Sequence, residues 1–190
     1  MTDTTPTYST AGLATPANLI TVTRIVASPV LFWLIVDAEA DRGTSWAAFL
    51  LGLVFAVSDL FDGRIARATD TMTRTGAFLD PLADKVVVLG CSISLIAVDR
   101  YLWPPVAIIV VRELMVSLMR VNLARHGVSV PATPLAKWKT TIQGAALLCA
   151  VLPLLESQQR VVDATLWLAV AITVLTGWQY LRDGNKYAVR

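Results

Sequence analysis

Charged side chains are scarce here: Asp, Glu, Lys and Arg make up only 16% of the 190 residues. Soluble domains run nearer about a quarter. A mean hydropathy of +0.61 agrees that this is no ordinary soluble domain. The net charge of +2 is small, and no basic stripe is interleaved with aromatics, which argues against a nucleic-acid partner. Cys91 and Cys149 both lie in apolar runs, so they read as small buried side chains rather than a disulfide or a metal pair. His126 is the single histidine, with nothing nearby to complete a histidine constellation. Residues 1–15 are rich in Thr, Ser and Pro and lack a basic segment before an apolar core. They are expected to be a flexible tail, not a signal peptide, ahead of one domain at 16–190.

Apolar sequence is abundant. Six stretches stand out: Ala17–Val36, one beginning at Trp46, one ending at Val98, Tyr101–Met119, Thr140–Leu155 and Val161–Leu181. A membrane-spanning helix needs roughly 20 residues. The second and third stretches are purely apolar only over Trp46–Ser58 and Val86–Val98, too short to span alone. Continued helically to about Ala68 and back to about Gly76, each reaches full length. The aspartates nearby then belong to membrane helices and not to loops.

Charge distribution orients the spans. The connections at Asp37–Gly43, Asp99–Arg100 and Glu156–Asp163 hold Asp37, Glu39, Asp41, Asp99, Glu156 and Asp163 against Arg42, Arg100 and Arg160. The opposite ends carry Arg24, Arg64, Arg67, Arg74, Arg120, Arg125, Lys137, Lys139, Arg182, Lys186 and Arg190. The positive-inside rule places this basic side, with both termini, in the cytoplasm. Trp33, Trp46, Trp103, Trp138, Trp167 and Trp178 fall near span ends, as interfacial anchors do. The expectation is an all-α integral membrane protein with six transmembrane helices.

The segment from Ser58 to Val86 carries the chemistry. Asp59 and Asp62 are three apart and Asp80 and Asp84 four apart, so each pair shares a helix face. A short turn brings the two faces together at the inner membrane boundary. Two carboxylates roughly 4 Å apart repel by about 4 kcal/mol even at an effective dielectric near 20. Protonation could relieve that; a divalent cation relieves it better. An all-oxygen set suits Mg²⁺, Mn²⁺ or Ca²⁺ rather than zinc, and two bridged ions would form the clamp used in phosphoryl displacement. Gly63 and Gly76 fit a phosphate or nucleotide pressed against helix backbone, or simply close helix packing. Arg67, a turn beyond Gly63, could neutralise a pyrophosphate.

Asp59, two residues, Asp62-Gly63, two residues, Ala66-Arg67, eight residues, Gly76, three residues, Asp80, three residues, Asp84 resembles the signature of the CDP-alcohol phosphotransferase family at every position. The six-span pattern extends the likeness over nearly the whole chain. The resemblance implies that Asp59, Asp62 and Asp80 bind two metal ions, Mg²⁺ by default or Mn²⁺. It implies that Asp84 helps bind metal and is the general base on the acceptor hydroxyl. It makes Gly63, Ala66, Arg67 and Gly76 a cytidine-diphosphate cradle, with Thr73 contributing. The family's donor is a CDP-activated lipid, CMP is released, and a homodimer in the cell membrane, with its active site facing the cytoplasm, is expected.

The acceptor is a separate matter. Arg112, beside Glu113, lies deep in the fourth stretch, where a charge faces a cavity or a partner. Arg112, Arg120, Lys137 and Lys139, with Arg24, could hold an acceptor phosphate; Lys137, Lys139 and Arg125 could equally be topology residues. Phe78–Lys85, Val111-Arg112-Glu113, Lys137–Gln143 and the Pro16, Asn18, Thr21, Arg24 set look like the family's branch whose substrates are CDP-diacylglycerol and sn-glycerol 3-phosphate. Asn18 and Thr21 would then reach the donor headgroup. The nearest alternative within the family takes phosphatidylglycerol and makes cardiolipin. A cation or proton-coupled transporter is a different class with similar aspartates, but no acidic residue continues a path through Val86–Val98 or Trp46–Val57.

Overall fold

A computed structural model describes the backbone of residues 16–68, 74–125 and 134–188, and the side chains of 18–59, 79, 81–119, 121–122 and 138–182. Among these residues the chain forms six long helices and no strand: α1 (Pro16–Asp37), α2 (Trp46–Ala68), α3 (Arg74–Ala97), α4 (Trp103–Arg125), α5 (Pro134–Val151) and α6 (Gln159–Ala188). Proline lies in the first turn of α1, α4 and α5, where its missing N–H costs nothing.

Helix boundaries follow the apolar stretches with three informative differences. Helix α5 opens at Pro134, earlier than the apolar run beginning at Thr140, because Lys137 and Lys139 interrupt the apolar run without ending the helix. It closes at Val151: Leu152 precedes Pro153 and is driven to extended backbone (φ −74°, ψ 119°), so Leu152–Leu155 leaves the helix. Likewise α4 continues past Met119 to Arg125. Asn18–Asp37 and Gln159–Arg182 are long and apolar enough to cross a membrane, and Trp46–Asp59 is a shorter apolar segment.

Helix α1 packs most closely on α3 and also on α2; α6 packs on α5 and α4. Gly90 of α3 makes the first contact possible. A Cβ there would stand 2.1 Å from the ring tip of Phe32 on α1.

The three connections expected on one side do meet at one end. Arg42 donates to the Asp99 carbonyl (2.6 Å), and Ser45 N–H to the Val151 carbonyl (3.0 Å). Arg100 is fully buried and closes this end. Its Nε donates to Ala150 O (3.1 Å), Nη1 to Glu156 O (2.8 Å) and Gln159 Oε1 (3.2 Å), and Nη2 to Leu155 O (2.6 Å). The Gln159 amide returns a bond to the Arg100 carbonyl (3.0 Å). Burial, and then neighbouring Arg42, pull the guanidinium below its ordinary pKa; an arginine stays charged regardless, so it must be fully hydrogen-bonded. Carbonyls left over by the end of α5 and by the following turn supply the partners. An apolar cluster that includes Leu31, Ile35, Leu95, Val106, Val162 and Leu166 packs through the helices.

Polarity runs inside-out through much of the bundle. Asn18, Thr21, Arg24, Ser28, Arg112, Gln143, Thr173 and Thr176 are buried, while Leu19, Val26, Val54, Ile93, Val111, Leu118 and Leu175 are exposed. All six tryptophans point outward, between 49% and 68% exposed.

Candidate active site

On α1, Asn18, Thr21 and Arg24 recur at helical spacing and are all buried, forming one inward polar stripe. Arg24 Nη1 donates to Asp59 Oδ1 on α2 at 2.6 Å; the Arg24 side chain is 4% exposed and that of Asp59 37%. One turn on, Asp62 and Gly63 continue α2, with Ala66 and Arg67 in its last turn. Gly76 and Asp80 lie in the first two turns of α3, followed by Asp84, which is half-buried. Thr73 and His126 lie outside the described residues, as do the side chains of Asp62, Ala66, Arg67, Asp80, Arg120 and Lys137.

The donor chemistry fits a divalent cation. The motif's four aspartates lie on two consecutive helices, α2 and α3, and aspartate supplies hard oxygen ligands of the kind Mg²⁺ takes. Arg24 already balances one of them. Among the described residues no three carboxylate, imidazole or thiol groups converge; the side chains of Asp62 and Asp80 lie outside that set.

A second polar cluster lies between α3, α4, α5 and α6. Arg112 Nη1 donates to Glu113 Oε1 (3.0 Å) and Nη2 to Thr176 Oγ1 of α6 (2.8 Å). Its guanidinium carbon lies 5.9 Å from the centre of the Tyr180 ring, within cation–π range. Lys139 of α5 donates to the same Glu113 oxygen. Asp84 is close enough to act electrostatically on Lys139. Lys85 Nζ donates to Ser117 Oγ (2.6 Å), whose hydroxyl donates to the Glu113 carbonyl (2.6 Å). Below these, Gln143 donates to Thr173 (2.9 Å). Gly177 makes room for Arg112: a Cβ there would meet Arg112 Cγ at 3.0 Å and Nε at 3.2 Å.

The structure thus brings Arg112 and Lys139 together, whereas Arg24 stands on the aspartate side, against Asp59. Sequence reading passed over Glu113, Ser117, Lys85, Thr173 and Thr176 as site residues. A lone acid mid-span beside Arg112, and two threonines three apart in apolar α6, were the available signals.

The family model described as CDP-alcohol phosphatidyltransferase matches residues 14–175. A Rickettsia bellii protein named CDP-diacylglycerol–glycerol-3-phosphate 3-phosphatidyltransferase is 36% identical over 179 residues, covering 90% of this chain and 95% of its own. A Bacillus subtilis protein of the same name is 35% identical over 177 residues, covering 86% and 91%. A Mycobacterium tuberculosis protein named probable phosphatidylglycerophosphate synthase is 34% identical over 175 residues, covering 90% and 82%.

Proposed function

The chain belongs to the CDP-alcohol phosphatidyltransferase family, and from that premise we propose that it transfers the phosphatidyl group of CDP-diacylglycerol to sn-glycerol 3-phosphate, giving phosphatidylglycerol phosphate and CMP. What carries the reading is the reach of the likeness: 36% identity spans 90% of this chain and 95% of a relative named for that reaction. The buried Arg112–Glu113–Lys139 cluster supports the choice of a phosphate-bearing acceptor, since clustered cations suit a phosphate monoester.

Asp59, Asp62, Asp80 and Asp84 would hold the divalent metal, as two Mg²⁺ ions with Mn²⁺ as substitute; bound there, it neutralises the pyrophosphate and the charge that develops on the leaving phosphate. Arg24 holds the Asp59 carboxylate in place. Gly63, Ala66, Arg67, Thr73 and Gly76 line the cytidine-diphosphate cradle, with Asn18 and Thr21 toward the donor headgroup. Arg112 and Lys139, with Arg120 and Lys137, bind the acceptor phosphate and turn its free hydroxyl toward the donor. The Asp84 carboxylate takes the proton from that hydroxyl. The acceptor oxygen then bonds to the lipid-side phosphorus, and the phosphorus–oxygen bond to CMP breaks in line.

The setting is a lipid bilayer, which the outward apolar residues and tryptophans support. Residues 16–190 form the membrane domain; the tail expected at residues 1–15 lies outside the described residues. All six helices span, α2 and α3 through their aspartate-bearing turns; both termini and the site face the cytoplasm of the cell membrane, and the protein is a homodimer.

The test is CMP release by the purified protein in detergent with CDP-diacylglycerol and Mg²⁺. Release with glycerol 3-phosphate, abolished by EDTA, is expected. Release only with phosphatidylglycerol would make it a cardiolipin-forming enzyme; release with neither would overturn the reading.

A further inference from the structure

Lys85, Arg112 and Lys139 approach one another from α3, α4 and α5; Glu113 stands among them, and with Asp84, which also acts on Lys139, two carboxylates face three cations. Arg112 and Lys139 are largely buried, and Glu113 is 13% exposed. Held this close away from water, like charges repel. A group that served only folding would be expected to neutralise itself. Here one acid touches two cations directly, and through its own carbonyl and Ser117 it anchors the third. Arg112 Nε is buried without a hydrogen-bond partner among the described residues. A buried donor left so costs stability, unless a ligand completes it. Excess positive charge and an open donor both point to an anion.

We infer that Glu113 is a positioning residue that holds the Arg112 guanidinium and the Lys139 ammonium together as a preformed receptor for a phosphate monoester. The inference rests on the transfer reading for its substrate but not for its geometry. Without the Glu113 carboxylate, Lys139 loses its ion-pair partner, and Arg112 keeps only Thr176 and the face of Tyr180. The two cations then stop sharing one anion. Preorganisation of this kind acts on acceptor binding and not on the donor.

Glu113→Gln and Glu113→Asp in the full chain, in detergent, give the test. Glu113→Gln is expected to raise KM for glycerol 3-phosphate about tenfold or more, with KM for CDP-diacylglycerol unchanged, and Glu113→Asp to recover part of the loss. An unchanged acceptor KM, or equal changes in both KM values, overturns the inference. Thermal stabilisation by inorganic phosphate is the second measurement, since it needs no turnover. The native protein is expected to be stabilised at phosphate concentrations about tenfold lower than Glu113→Gln. Equal stabilisation, or tighter phosphate binding by Glu113→Gln, would show that the carboxylate merely competes with the anion, and would overturn the inference. Unequal stabilisation in a protein that makes no CMP with glycerol 3-phosphate would leave Glu113 in this role and remove the transfer reading alone.

Discussion

Asp84 and Asp59 show how differently two aspartates of one motif are placed. Asp59 is paired with Arg24 at 2.6 Å, whereas Asp84, half-buried on α3, is the proposed base on the acceptor hydroxyl. Asp84→Asn is therefore expected to lower CMP release at least about a thousandfold, in the range seen when a general base is lost, while CDP-diacylglycerol still binds. Turnover within about tenfold of native in that variant would sink the base assignment. The aspartate pattern was legible from the sequence because helical spacing alone puts i, i+3 and i+4 on one face. Glu113 was not: its pairing with Lys139 spans 26 residues, and no local rule connects them.

Among elements, the contact of α1 with α3 is set by a residue that hydropathy passes over. Gly90 lets the Phe32 ring lie against backbone. Gly90→Ala should destabilise by about 1–3 kcal/mol, the usual range for overpacking. Phe32→Leu should recover much of that loss in the double variant, as read by thermal unfolding in detergent; no recovery would show that the contact is not the limiting one. Arg100 does the corresponding service for the ends of α3, α5 and α6. Arg100→Met would strand the carbonyls of Ala150, Leu155 and Glu156, at a cost of about 3 kcal/mol or more, lowering Tm by roughly 6–12 °C in a chain of this size. A Tm within about 2 °C of native would mean that water satisfies them. From the sequence Arg100 was one of three basic residues in acidic loops; burial against an unwound helix end gave it a different part.

At the scale of the molecule, three connections gather at the Arg100 end and the aspartate motif lies where α2 ends and α3 begins. If the first end faces outward, Asp41→Cys and Ser157→Cys, made in a Cys91→Ser, Cys149→Ser background, should react with a membrane-impermeant maleimide on intact spheroplasts. Asn185→Cys should react only after permeabilisation. The reverse pattern would invert the orientation, and labelling of all three before permeabilisation would break the six-span topology. Metal removal acts at the same scale, because the proposed metal site draws its aspartates from both α2 and α3: EDTA should abolish turnover and Mg²⁺ should restore it.

The sequence by itself determined the all-helical class, the places of the six helices, the aspartate motif and the family, because helix period, span length and motif spacing are local properties of the chain. Only the tertiary structure decided that Arg24 belongs to Asp59, that Arg100 is a buried clasp, and that Glu113 joins Arg112 to Lys139. Those pairings connect residues 26 to 59 positions apart, and what brings them together is the packing of whole helices, which leaves no trace in any single stretch of sequence.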